Sequence, residues 1–172
     1  MYKICVLLLC LLVSGCNDSS VNQINGNDQT KQPNSNEIVI SNPLKTNFSI
    51  KDKFNQEVET FAVGEEITFE LKVVNTTNSE VTYQATGPVH DFVVTKGGVE
   101  VWSEFYGMAF AQVITDRKIA ANDTLVLTVK WLCKSNDGGL VQPGIYEVNP
   151  MLVMFLDGKK ITPPDSKTII LN

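Results

Sequence analysis

The sequence predicts an all-β fold, an antiparallel β-sandwich, and three observations carry that prediction. Apolar and polar residues alternate with period two in several short segments. Turn residues recur at the spacing of roughly 8–12 residues typical of sandwiches. No amphipathic helix of three turns is visible anywhere in the chain.

Taken in order, Phe48–Lys53 is the first strand candidate. Ile67, Phe69, Leu71 and Val73 then alternate with Thr68, Glu70 and Lys72, which places the apolar set on one face toward a core. Val81–Ala85 follows. Phe92–Thr95 and Val99–Trp102 flank Lys96-Gly97-Gly98, a compact hairpin connection that glycine's access to positive φ permits. Met108–Ile114 is a further short candidate. Leu125, Leu127, Val129 and Trp131 repeat the alternation against Val126, Thr128 and Lys130. Tyr146 and Val148, then Leu152–Leu156, supply late strands, with Asp157-Gly158 as a second hairpin turn before Thr168–Leu171. That makes about eight or nine strands, with a closed barrel as the alternative architecture. Pro143-Gly144-Ile145-Tyr146 reads as a turn feeding a strand that opens on a tyrosine. In immunoglobulin-like sandwiches a tyrosine at such a corner bonds back to the preceding loop, so the expected fold is an immunoglobulin-like antiparallel β-sandwich. Plain core packing is the other role open to Tyr146. Strand phase puts Trp102 and Trp131 in the core.

The chain upstream has a different character. Met1-Tyr2-Lys3 carries one positive charge, and Ile4–Val13 is an unbroken apolar run. Ten helical residues rise only about 15 Å, roughly half of a bilayer's hydrocarbon core, so the run suits a secretory signal rather than a spanning helix. It ends in Val13-Ser14-Gly15-Cys16, which resembles the bacterial lipobox, where the cysteine thiol accepts a diacylglycerol and the peptide is cut just before it. Residues 1–15 are therefore read as a lipoprotein signal peptide and Cys16 as the lipid attachment site. Residues 16–40 hold the lipidated cysteine and a flexible tether, and residues 41–172 form the β domain. From Asn17 to Asn36 the tether is rich in Asn, Gln and Ser, and only Val21 and Ile24 are large and apolar. Such a segment cannot bury enough surface to offset its ordering entropy. As a random coil its ends would lie about 25 Å apart, enough to lift a small domain clear of a lipid surface. The implied location is the bacterial cell envelope, anchored to a membrane and exposed outside the cytoplasm.

Composition excludes several functions. Acidic residues outnumber basic ones by 19 to 14 and the formal net charge is −5. A sequence-independent nucleic-acid binder needs the opposite balance. With His90 as the single histidine and few cysteines, the usual zinc sites cannot be assembled within one copy, and no metal or cofactor is expected. Signal removal takes away Cys5 and Cys10, and lipid consumes Cys16. Cys133 is then the only free thiol and no intrachain disulfide can form. It reads as a small, partly buried hydrophobe near a strand end, with a redox or intermolecular role as the alternative.

No catalytic constellation stands out. Ser103, His90 and Asp91 can be written down as a triad, and Cys133 with His90 as a nucleophile pair, but neither sits in a known catalytic motif. A Gly-X-Ser-X-Gly elbow, a Gly-rich phosphate loop and a His-Glu-X-X-His helix are all absent from the sequence. An enzyme is the least favoured reading, and no small-molecule substrate is expected. His90 beside Asp91 reads as a loop residue at the start of a strand, and as a mild pH sensor if the two side chains meet.

One block of residues carries a family resemblance. His90-Asp91-Phe92-Val93-Val94, then Gly98-Val99-Glu100-Val101-Trp102, then Met108-Ala109-Phe110, resembles the BsuPI family of bacterial intracellular proteinase inhibitors. The likeness continues through Thr124–Trp131 to Pro143-Gly144-Ile145-Tyr146. Upstream it takes in Phe61, Gly64, Ile67, Phe69, Leu71, Val73 and Asn75, so it covers roughly residues 46–155. Glu104-Phe105 stands where family members often carry a second tryptophan, and Ala121-Asn122 where a Pro-Gly pair is common. The resemblance implies a protein-binding module whose partner is a peptidase, held by an extended loop on a rigid sandwich. A non-inhibitory envelope interaction module is the alternative. Two loops are candidates for the contact. Cys133–Pro143 is polar until Leu140 and Val141, which either fill a peptidase pocket or tuck into the core. Ser103–Met108 offers Phe105 and Tyr106 as its apolar pair.

Overall fold

The computed structural model describes residues 42–172, so the expectations for the signal peptide, Cys16 and the tether to residue 40 lie outside the described residues. Ten strands occur among the described residues: β1 (Leu44–Lys51), β2 (Thr60–Phe61), β3 (Ile67–Asn75), β4 (Val81–Lys96), β5 (Val99–Ser103), β6 (Ile114–Ile119), β7 (Thr124–Trp131), β8 (Gly144–Leu156), β9 (Lys159–Lys160) and β10 (Lys167–Leu171). They form two sheets. One has the order β1-β3-β7. The other runs β2-β10-β8-β4-β5, with β6 also paired to β4 and β9 to β8. All pairings are antiparallel except the short parallel pair of β2 with β10. The all-β sandwich holds, and a closed barrel does not.

The alternation seen in the sequence is the core. Ile67, Phe69, Leu71 and Val73 on β3 are fully buried, because β3 is the middle strand of its sheet. The same pattern on β7 leaves Leu125, Leu127 and Val129 only partly covered, since β7 is an edge strand, while Trp131 is buried. Burying each such large side chain is worth about 1.5–3 kcal/mol. Aromatic rings link the sheets. Phe69 of β3 lies 5.8 Å from Phe92 of β4 and 6.0 Å from Trp131, and Trp131 lies 6.2 Å from Tyr146 of β8. Tyr146 makes the anticipated corner: its hydroxyl donates to the main-chain oxygen of Gln142 at 2.5 Å. Trp102 is partly buried and packs against the core, 6.1 Å from Trp131. Buried Asn75, at the end of β3, donates its side-chain amide to the main-chain oxygens of Ser79, Ile119 and Ala120. Its Oδ1 accepts from Thr77, so one side chain ties two turns to the end of the strand.

Both hairpin turns form where the glycines predicted them. Lys96 pairs with Val99 across Gly97-Gly98 (φ 57° and 79°), and Leu156 pairs with Lys159 across Asp157-Gly158 (φ 49° and 74°). Two positive φ values in succession define the turn whose twist matches a hairpin.

Several elements differ from expectation. The segments Val81–Ala85 and Phe92–Thr95 are one strand, β4, interrupted by a bulge in which Thr86–Val89 face only Val153 of β8. His90 consequently lies within a strand and not in a loop. The bulge lets β4 hold β6 along its first half and β5 along its second. Tyr146–Val148 and Leu152–Leu156 likewise join as β8. Met108–Ile114 is not a strand. The ladder on β4 begins only at Ile114 and runs to Ile119, a stretch whose charged Asp116, Arg117 and Lys118 hid it from an alternation search. Two-residue β2 and β9 are too short to carry a periodic signal.

Candidate functional site

Because β5 and β6 pair with different halves of one strand, the chain between them must cross the bulge of β4. That segment, Glu104–Val113, is the candidate site. Its start is fixed by three consecutive β4 residues. Asp91 Oδ2 accepts a hydrogen bond from Ser103 Oγ at 2.8 Å, and Asp91 Oδ1 accepts the Glu104 amide at 3.1 Å. The same amide also points to the main-chain oxygen of Phe92 at 3.2 Å. His90 Nε2 lies 3.2 Å from Glu104 Oε2 with both side chains largely buried, but the contact is not aligned as a hydrogen bond and neither atom has another hydrogen-bond partner among the described residues. The two hydrogen bonds accepted by the partly buried Asp91 carboxylate hold the loop base more firmly than surface pairs do.

Rings continue the pinning. Phe105 packs edge-on to His90 (centroids 5.9 Å apart) and to Phe110 (5.3 Å). The intervening chain turns twice, with the Tyr106 amide donating to Ser103 O at 3.2 Å and the Met108 amide to Phe105 O at 3.0 Å. Gly87 in the bulge lies against Phe110: a Cβ there would sit 3.4 Å from Phe110 Cβ, and φ is +54°. Beyond the turn, Met108–Val113 joins no ladder and exposes its apolar groups. Tyr106 is 61% exposed, Met108 62% and Val113 62%, and Phe110, packed on Phe105, is also exposed. Exposed apolar side chains on a loop held at its base make this segment the candidate contact surface.

The three residues considered as a triad are neighbours but not a relay. The Ser103 hydroxyl donates directly to Asp91, while the His90 nitrogen faces Glu104. A nucleophile needs its proton taken by a base that a third group orients. These bonds instead position the loop.

The other loop candidate has a structural task. In Cys133–Pro143, Ser135 N donates to Gly139 O at 2.8 Å and Val141 N to Cys133 O at 2.9 Å, closing a small hairpin-like turn. Asn136 seals the free edge of β5: its amide donates to Val101 O, its Oδ1 accepts from Ser103 N, and its Nδ2 donates to Glu100. Val141 is buried, as the core expectation has it, whereas Leu140 is exposed. Cys133 is fully buried with a φ of 54°, and burial pushes its thiol pKa up, which makes it a poor nucleophile. The pairing of Glu104 with His90 and the edge-sealing by Asn136 had no local signal, since each joins residues distant in sequence.

Two open clefts lie elsewhere, one lined by Ile50, Glu57 and Lys167 and one by Val81, Leu156 and Lys160. Neither includes a residue of Glu104–Val113.

Comparison with known proteins gives one sequence match of length: residues 54–155 match the family BsuPI, described as intracellular proteinase inhibitor. A search of the curated proteins finds no match. Among solved structures, an alkylpurine DNA glycosylase of Pseudomonas fluorescens bound to DNA is similar at 11% identity and TM-score 0.41, covering 77% of this chain and 31% of that one. A β-glucosidase of Erythrobacter marinus is similar at 11% identity and TM-score 0.41, covering 75% and 16%. The chain thus spans about a third or less of those two proteins. The CARDB domain of a Pyrococcus furiosus protein, in complex with di-metal ions, is similar at 12% identity and TM-score 0.39, covering 74% and 93%.

Proposed function

The chain belongs to the BsuPI family of intracellular proteinase inhibitors, and from that membership we propose that it is a non-enzymatic module that binds and inhibits a peptidase through Glu104–Val113. The observation that carries the reading is the loop itself: it lies inside the matched region, its base is pinned by Asp91 and His90, and its tip offers Tyr106 and Met108 to solvent. A pre-organised loop loses little conformational entropy on binding, which is how a small module reaches tight affinity. Cys16 bears lipid, and the domain works in the cell envelope, outside the cytoplasm. The Val13-Ser14-Gly15-Cys16 pattern after an apolar run supports that location, which sets this chain apart from the intracellular description of its family.

Two measurements test the proposal. The full chain in detergent is titrated against a panel of endopeptidases that includes chymotrypsin and subtilisin, with peptide cleavage as the readout. The Tyr106→Asp/Met108→Asp double variant is expected to lose inhibition while its urea midpoint stays close to the parent's, because both side chains are exposed. Binding without loss of cleavage would favour the interaction-module reading instead. For the anchor, Cys16→Ala should leave the membrane fraction or remain unprocessed. A variant still cut before residue 16 and still sedimenting with membranes would refute the lipid attachment.

A further inference from the structure

Peptidase contact through this loop, if the reading above is right, hangs on a side chain that is chemically alterable. The described residues include three methionines in contrasting settings. Met154 is fully buried in the core, Met151 is 46% exposed on the outer face of β8, and Met108 is 62% exposed at the tip of the loop. Among the loop's apolar side chains, Met108 is the one best placed to enter a partner's pocket. Phe105 and Phe110 pack on each other, Val113 abuts β6, and Tyr106, as exposed as Met108, carries a rigid ring where the methionine side chain is unbranched and adapts to a pocket's shape. Ala109 next to Met108 is small, so a partner's surface can approach closely there. The Met108 amide is already committed to Phe105 O, so this residue contributes its thioether rather than main-chain pairing.

We propose that Met108 is both the pocket-filling residue of the loop and an oxidative modification site, and that its conversion to the sulfoxide by a peroxide switches binding off. The thioether sulfur attacks one peroxide oxygen, the O–O bond breaks, and an S–O bond forms. The departing hydroxide takes the remaining proton to leave as water, so sulfur loses two electrons and the peroxide gains them. An unbranched apolar side chain becomes a polar, chiral one. Placed in an apolar pocket without a donor for its oxygen, the sulfoxide carries a desolvation cost. Among the described residues Met108 stands open to a small oxidant, and the modification leaves the core untouched because Met154 is enclosed.

The test treats the full chain with hydrogen peroxide, maps sulfoxide by peptide mass, and measures inhibition of the most sensitive peptidase of the panel before and after. Met108 should oxidise well ahead of Met154, and the inhibition constant should rise by about tenfold or more. In Met108→Leu, peroxide should leave that variant's own inhibition constant where it stood, whereas Met151→Leu should stay as peroxide-sensitive as the parent. Full oxidation of Met108 with inhibition unchanged overturns the inference and leaves the inhibitor reading intact. An untreated chain that inhibits no peptidase of the panel removes that reading, and the switch with it.

Discussion

Ser103 and Asp91 are bonded side chain to side chain at 2.8 Å, and the second oxygen of the same carboxylate accepts the amide of the next residue, Glu104. One acidic group on β4 thereby fixes both the end of β5 and the first residue of the exposed loop. A carboxylate accepting one hydroxyl and one amide at once holds two chain segments in fixed relation.

Asp91→Ala should therefore cost about 1–3 kcal/mol, since it strands the partly buried Ser103 hydroxyl and leaves the Glu104 amide only its bond to Phe92 O. Urea unfolding of the full chain gives the number. Amide exchange at Glu104 should accelerate more than exchange in β3. An unchanged midpoint with unchanged exchange would mean that the bond network is not what holds the loop.

Trp131→Ala is expected to destabilise by about 3–5 kcal/mol, the range for removing a large buried aromatic. The indole touches Phe69, Trp102 and Tyr146, and its Nε1 donates to the main-chain oxygen of Lys134 at 2.7 Å. Thermal melting of the variant checks this, and a loss below 1 kcal/mol would contradict the burial.

Leu140→Asp and Val141→Asp make a matched pair. Leu140 is exposed, so its substitution should shift stability by no more than about 0.5 kcal/mol and leave inhibition intact. Val141 is buried, and a carboxylate there should unfold a large share of the protein. Equal behaviour of the two variants in urea would refute the split.

The Cys133 thiol supplies a pH test. Burial raises its folded pKa above the ordinary value of 9.0. The neutral thiol's contribution is complete below that value and is lost as pH climbs through the folded pKa, because the unfolded chain releases its proton first. Stability should decline less steeply above pH 9 in Cys133→Ala than in the parent. Denaturant titrations from pH 8 to 10.5 decide it, and parallel curves would contradict the assignment.

What could be read from the sequence follows from how far each signal reaches along the chain. Period-two alternation is local, so β3 and β7 were legible residue by residue, and so were the glycine hairpins at Gly97-Gly98 and Asp157-Gly158. Tyr146 was legible because its partner lies only four residues upstream. The bulge of β4 was not, since it is defined by which strand lies opposite, and the sequence shows only Gly87-Pro88 as a break. For the same reason the strand expected over Met108–Ile114 does not form: its composition suits a ladder, but the neighbouring strand edge is not offered to it. The loop Ser103–Met108 was a candidate on its apolar pair, yet Phe105 proves to be an anchor and the exposed tip extends to Met108 and beyond.

The parallel pairing of β2 with β10 bears on when the domain can fold. Thr60 and Phe61 are matched to Ile170 and Leu171, with β3 through β9 intervening along the chain. Contacts so distant in sequence close slowly, because the loop entropy is spent before the pairing returns anything. During ribosomal synthesis Phe61 emerges early, but its cover arrives only when residues 167–171 have been made. Until then β8 lacks its neighbour over Gly144–Val148, and the sandwich stays open along that side. Completion of this sheet therefore waits on β10, whichever of the other strands have already paired.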